Sequence, residues 1–139
     1  MCKWGLLYQT LANQKECIDT ILPATQQQIA AVEEALGNKL PADIKDFLLE
    51  MNGDGWFIFS TEQMMEINLS VRKLGCFMPL DCFLFFAGNG SGDYFGYPIT
   101  PQDGVREDNV FFWDHEYDNR VWKANGLEDI IKKYYHDEI

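Results

Sequence analysis

Positive charge is scarce in this sequence: 11 Lys and Arg stand against 22 Asp and Glu in 139 residues, a formal net charge of −11 and a pI near 4.4. A chain so poor in bases repels a phosphate backbone, because nucleic-acid binding rests on clustered Lys and Arg that displace counterions. Direct binding to nucleic acid or to an anionic membrane surface is therefore not expected. Long apolar runs are missing as well. No stretch approaches the roughly 18 uninterrupted apolar residues of a membrane-spanning helix. The opening decapeptide MCKWGLLYQT has one base and no apolar core of signal-peptide length. The expected location is the cytoplasm. The four cysteines, Cys2, Cys17, Cys76 and Cys82, form no C-x-x-C pair, so they are expected to be reduced, with Cys76 and Cys82 packed in strands or loops.

What is present suffices for a core. Hydrophobic residues make up 47% and aromatics 14%, which argues against disorder and for one domain spanning residues 1–139. Spacings of three and four among Trp4, Leu7, Tyr8, Leu11, Ile18 and Leu22 predict an N-terminal helix before Pro23. Thr25 with Gln28 reads as a capping box opening a second helix, whose face is Ile29, Val32, Ala35 and Leu36 and whose stop is Gly37. Pro41 and Asp43 start another, striped by Ile44, Phe47, Leu48 and Met51 and ended by Asn52-Gly53-Asp54-Gly55. The pattern then turns short and aromatic. Strands are expected at Trp56 to Phe59, Leu74 to Met78, Phe83 to Ala87, Tyr94 to Ile99 and Val110 to Trp113, with a helical turn between Glu62 and Lys73. Leu127, Ile130, Ile131 and Tyr134 close the chain with a helix. Helices, then antiparallel strands, then a helix make an α+β domain: a twisted, mostly antiparallel sheet of about five strands with the helices packed on it.

Few residues suit catalysis. The loop Gly88 to Asp93 has glycines at alternate positions but no following Lys and no following helix, so it reads as a hairpin and not as a phosphate cradle. Asp114-His115-Glu116-Tyr117-Asp118 invites a metal. In an extended chain, however, the three carboxylates share one side and His115 faces the other. No metal, and no cofactor, is expected. Cys82 with His115 is the available nucleophile and base, yet neither sits in a nucleophile setting such as G-x-S-x-G. A non-enzymatic protein is the expectation.

Charge distribution says more. Residues 77–122 hold eight acids (Asp81, Asp93, Asp103, Glu107, Asp108, Asp114, Glu116 and Asp118) against Arg106 and Arg120. Interleaved with them are Tyr94, Phe95, Tyr97, Trp113, Tyr117 and Trp122. Scattered acids commonly just keep turns soluble. Exposed aromatics beside carboxylates also have the composition of a protein-binding face for a basic partner, with rings as anchors and acids steering encounter.

The ordered blocks resemble a known family. The helix Ile29 to Leu36, then Leu40-Pro41-Ala42-Asp43-Ile44-Lys45-Asp46-Phe47-Leu48 and Asn52-Gly53, is similar to the L-P-x-D-[YI]-x-x-F-L … N-G signature of the SUKH superfamily. The segments Leu84 to Gly96, Val110 to Glu116 and Gly126 to Ile131 look like its later blocks, so the resemblance runs from about Ile21 to Tyr135. Residues 1–22 form a less typical helical extension, and Ile44 stands where Tyr is commoner. The resemblance implies an α+β fold. It also implies an immunity protein that neutralises a cognate polymorphic or contact-dependent toxin, often a nuclease and basic where it holds nucleic acid. The alternative it implies is a regulatory interaction module like the yeast cell-wall-assembly (glucan synthesis) regulators. By motif position the expected partner contacts are Asp93, Tyr94, Trp113, Asp114, Glu116, Tyr117 and Asp118, on a monomer or homodimer.

Overall fold

The computed structural model of the chain describes residues 3–11, 21–102 and 104–136. Among them are five helices and five strands: α1 (Lys3–Thr10), α2 (Gln26–Leu36), α3 (Ala42–Glu50), α4 (Thr61–Arg72), β1 (Phe83–Gly88), β2 (Tyr94–Thr100), β3 (Gly104–Val105), β4 (Val110–Asp114), β5 (Asn119–Ala124) and α5 (Leu127–Tyr135). The α+β class and the antiparallel sheet agree with the sequence. The later part of the N-terminal helix expected through Leu22 lies outside the described residues, as do Cys2 and Cys17.

Local chemistry sets the helix ends. Thr25 and Gln28 form the expected capping box on α2, and Gly37 takes the left-handed conformation at φ 73° to end it. Two other caps come from distant carboxylates. Glu50 accepts the N–H groups of Trp4 and Gly5 at 3.2 and 3.0 Å at the start of α1. Glu107 accepts Asp43 N–H at 3.3 Å at the start of α3. In each case negative charge sits where orphan donors and the helix dipole favour it.

The sheet runs β1-β2-β4-β5, antiparallel throughout, with β3 joined to the far end of β2. Period-two alternation sorts its aromatic rings. Phe83, Phe85, Tyr94, Phe111 and Trp113 make one aromatic row. On the opposite face Phe86 stacks on Tyr97, and Phe95 meets Phe112 and Phe57, the last stacked on Tyr134 of α5. Gly96 sits across from Phe85 because a Cβ there would come within 2.8 Å of that ring.

Three expectations are corrected. Trp56 to Phe59 is a wrapped loop with a single bridge, Ile58 to Ala87, because Asp54 takes its backbone donors. Its Oδ1 accepts the N–H groups of Trp56, Phe57 and Ile58 at 2.9, 2.7 and 2.8 Å. Leu74 to Met78 is a bent loop, and Cys76 within it is exposed and not packed. The segment given a helical turn is the full helix α4, opened by a capping box of Ser60 and Gln63. The edge strand β5 was not anticipated, since Arg120 and Lys123 and its exposed positions make it read as polar.

Asp54 is fully buried, and its Oδ2 also accepts the hydroxyls of Tyr8 and Tyr135, at 2.7 and 2.5 Å. Burial first and the Asp54 charge second hold both phenols protonated far above their usual range. Replacing this acceptor strands five donors, so Asp54→Ala is expected to cost about 4 kcal/mol of unfolding free energy and Tyr135→Phe about 2. Urea unfolding followed by tryptophan fluorescence checks this; a cost below about 1 kcal/mol for Asp54→Ala contradicts it.

Candidate functional site

The pairing of β2 with β4 places Tyr94 opposite Trp113. That one register brings the end of the glycine loop, residues 88–93, against the β4–β5 turn, residues 115–118. All seven residues expected at the partner face therefore meet at one end of the sheet. Tyr94 and Trp113 lie nearly parallel with ring centroids 6.0 Å apart, and Phe77 meets Trp113 edge-on at 5.0 Å.

Their roles differ. Asp93 is a clamp: its Oδ1 receives His115 N–H at 3.0 Å and contacts His115 Nδ1 at 2.6 Å, while Asn89 Nδ2 donates to its Oδ2 at 3.2 Å. Burial pushes the Asp93 carboxyl up, but these hydrogen bonds outweigh it and hold the group below its ordinary value. Asp118 is a second clamp. Its Oδ1 accepts Trp113 Nε1–H at 2.7 Å and Arg120 Nη2–H at 3.0 Å, and its Oδ2 accepts Met78 N–H at 3.0 Å. Partial burial opposes ionisation there too, and the Trp113, Met78 and Arg120 donors again bring the net shift downward. Arg120 completes the tie by donating to the carbonyls of Pro79 and Met78. Asp118 has φ 56°, the left-handed turn position that Asp tolerates better than most residues.

The expectation that the aromatics are exposed is corrected. Trp113 is 2% exposed, Phe95 and Tyr97 are buried, and Tyr94 is half-buried, because their rings form the sheet's own packing. Tyr117 at 75% and Trp122 at 44% do face solvent, and Glu116 is exposed beside Tyr117. Asp114 is half-buried, its Oδ1 accepting Glu116 N–H at 2.8 Å. Exposed charge thus comes from Glu116, with half-buried Asp114 beside it, while Asp93, Trp113 and Asp118 hold the turns that present them.

The extended-chain placement of His115 is also corrected, because a tight turn replaces it. Ligand atoms of Asp93, Asp114 and His115 fall within 4.8 Å of one another. His115 donates from its backbone to Asp93 and meets the same oxygen with its ring, which makes the group a hydrogen-bonded clamp. Cys82 Sγ lies against Pro79 O at 3.6 Å and Arg120 Nη1 at 3.5 Å, and so belongs to the Arg120 tie.

Sequence patterning did not point to the wall of the site. An open groove of about 280 Å³ runs beside the clamp, lined by Ser70, Val71 and Leu74 at the end of α4, by Phe77, and by Tyr94 and His115. The overlooked signal was Ser60 with Gln63, the capping box that announces α4.

Residues 23–133 match the SMI1 / KNR4 family (SUKH-1). Over 50 residues the chain is 44% identical to a protein described as "Uncharacterized protein YnaB" of Bacillus subtilis (strain 168). That alignment covers 33% of this chain and 35% of YnaB.

The clamp has a pH signature. The Asp93 hydrogen bond, reinforced by the charges of Asp93, Glu116 and Asp114, raises the His115 imidazolium above its ordinary value against a smaller opposing effect of burial. A raised histidine adds stability that is complete below its unfolded value of 6.5 and lost as pH rises through the folded value. A lowered Asp93 adds stability above its unfolded 3.8 that is lost as pH falls through the folded value. The clamp is therefore strongest between these limits. NMR titration should find His115 above 6.5 and Asp93→Asn should lower it; an unshifted midpoint in both proteins contradicts the clamp.

Proposed function

The chain belongs to the SMI1 / KNR4 family (SUKH-1), and on that premise we propose that it is an immunity protein that binds and neutralises a cognate toxin. The family includes bacterial immunity proteins. The observation that carries the reading is the convergence of Asp114, Glu116, Tyr117 and the Asp93 and Asp118 clamps at one end of the sheet, in a chain of net charge −11. The toxin it fits is a polymorphic or contact-dependent toxin with a basic surface, as a nuclease has where it holds nucleic acid. Carboxylates at the sheet end occupy that surface in place of phosphate.

Two physical contributions divide the binding. Opposite charge speeds encounter, an effect that falls with ionic strength. Slow release comes from side chains seated at the contact centre, where the exposed Tyr117 supplies amphipathic area. No catalytic step is needed, because stoichiometric occupation of the toxin's site suffices. Among the described residues no helix is long and apolar enough to cross a membrane.

Co-expression with the candidate toxin domain encoded next to this chain's gene tests the proposal. Cell survival together with a complex that co-purifies is expected. Continued killing by the toxin in the presence of folded, soluble protein rejects that pairing and favours a regulatory module without a toxin.

The separation of roles makes a sharper prediction. Asp114→Asn with Glu116→Gln removes two negative charges and keeps the hydrogen bonds of both clamps, so the association rate at low salt should fall about tenfold and its salt dependence should flatten. The unfolding midpoint should stay in place. Stopped-flow association over a salt series checks this, and an unchanged rate removes these two acids from the interface.

A further inference from the structure

The groove beside the clamp continues past Tyr94. A second hollow, of about 250 Å³, is lined by Trp56, Phe59, Gln63, Ile67 and the glycine loop, and it meets the first at Gly92 and Tyr94. Gln63, Ile67, Ser70, Val71 and Leu74 follow helical spacings of three and four, so one face of α4 and its exit walls both hollows. Gly92, at φ 93°, forms the low corner: a Cβ there would come within 3.2 Å of the His115 ring.

The hollow beside Tyr94 and His115 is mainly apolar and, among the described residues, open, while Gln63 and the backbone of the glycine loop make the second one more polar. Leu74, on the first hollow, is 45% exposed and Trp56, on the second, 54%. The carboxylates near the first are Glu66, four residues before Ser70 on α4, Asp93 paired with the lining His115, Asp114 beside that pair, and Glu116, whose charge acts on His115. Lys73 stands at the end of α4. Arg72 turns inward instead, donating to Leu36 O at 3.0 Å and Phe83 O at 3.4 Å. An apolar trough rimmed mainly by acids complements an apolar side chain bordered by bases. A second copy of this chain would bring like charges together there.

We infer that the partner seats an apolar side chain, flanked on its own surface by lysine or arginine, in the trough between α4 and the Gly92–Tyr94 corner. This rests on the toxin-binding reading and adds α4 to it as a docking wall. The acids at the sheet end steer and orient the partner, and the trough slows its release. A seated apolar anchor of this kind is worth a loss of about 30-fold in affinity or more when blocked.

Ser70→Arg with Leu74→Arg blocks the trough at exposed positions and adds repulsion toward a basic partner. Val121→Arg with Trp122→Arg on β5 is the control, and circular dichroism verifies the fold of both. Affinity for the candidate toxin domain should drop about 30-fold or more for the first variant and by less than about threefold for the second. Equal affinity of the first variant and the unaltered protein overturns the trough while leaving toxin binding intact. A second arm works without any toxin. A soluble Leu/Lys peptide titrated into isotopically labelled protein should shift the amide resonances of Ile67, Ser70, Leu74 and His115, and a Leu/Glu peptide should not. If the toxin fails to bind but the Leu/Lys peptide maps to the trough, the trough stands and the toxin reading falls. If the toxin does not bind the protein at all and the Leu/Lys peptide leaves the trough resonances unshifted, both readings fall.

Discussion

A single buried carboxylate, that of Asp54, organises this protein. It accepts three backbone N–H groups from the loop that follows it and one hydroxyl each from Tyr8 near the start of the chain and Tyr135 near its end. A polar group taken out of water demands such complete satisfaction, and a chain that provides it gains a fixed point. Wrapping the 56–58 backbone around Asp54 stops that segment from joining the sheet as a full strand. The segment then seals the β1 edge: Phe59 N–H donates to Phe86 O and Gly88 N–H to Phe57 O. Phe57 is thereby placed to stack on Tyr134, which seats the closing helix.

At the far end of the sheet the same logic recurs on a smaller scale. Asp93 and Asp118 each collect donors from a neighbouring loop, and the two turns they hold carry Asp114, Glu116 and Tyr117 outward. The acids of this region therefore differ in role: Asp93 and Asp118 tie loops together, half-buried Asp114 accepts Glu116 N–H, and Glu116 is exposed. Rigid turns matter for a binding face, because side chains already positioned lose less freedom when a partner arrives. The trough beside α4 adds apolar area to charge, and together they favour a partner with both.

Much of the fold was legible in the sequence because local rules governed it. Thr25, Gln28 and Gly37 gave the bounds of α2, the stripe from Ile44 to Leu48 gave α3, and the aromatic runs gave β1, β2 and β4. The errors came where long-range contacts override local pattern. Trp56 to Phe59 has strand composition, yet the Asp54 carboxylate consumes its donors. Leu74 to Met78 is held in a bend by Arg120 and Asp118, more than 35 residues away. The site was legible as a list of residues but not as a division of roles. Nothing in the order Trp113-Asp114-His115 tells that the ring is buried and the histidine reaches back to Asp93, since that follows from the register of β2 on β4.

The central claim is that the sheet end, with α4 as its wall, is the surface a toxin meets. Hydrogen–deuterium exchange of the full chain, alone and with the candidate toxin domain, tests it most directly. The account predicts slowed exchange at residues 92–94 and 113–118 and along the exposed face of α4, with β5 and α2 unchanged. Protection confined to β5, α2 or α3 in a complex that forms would contradict it.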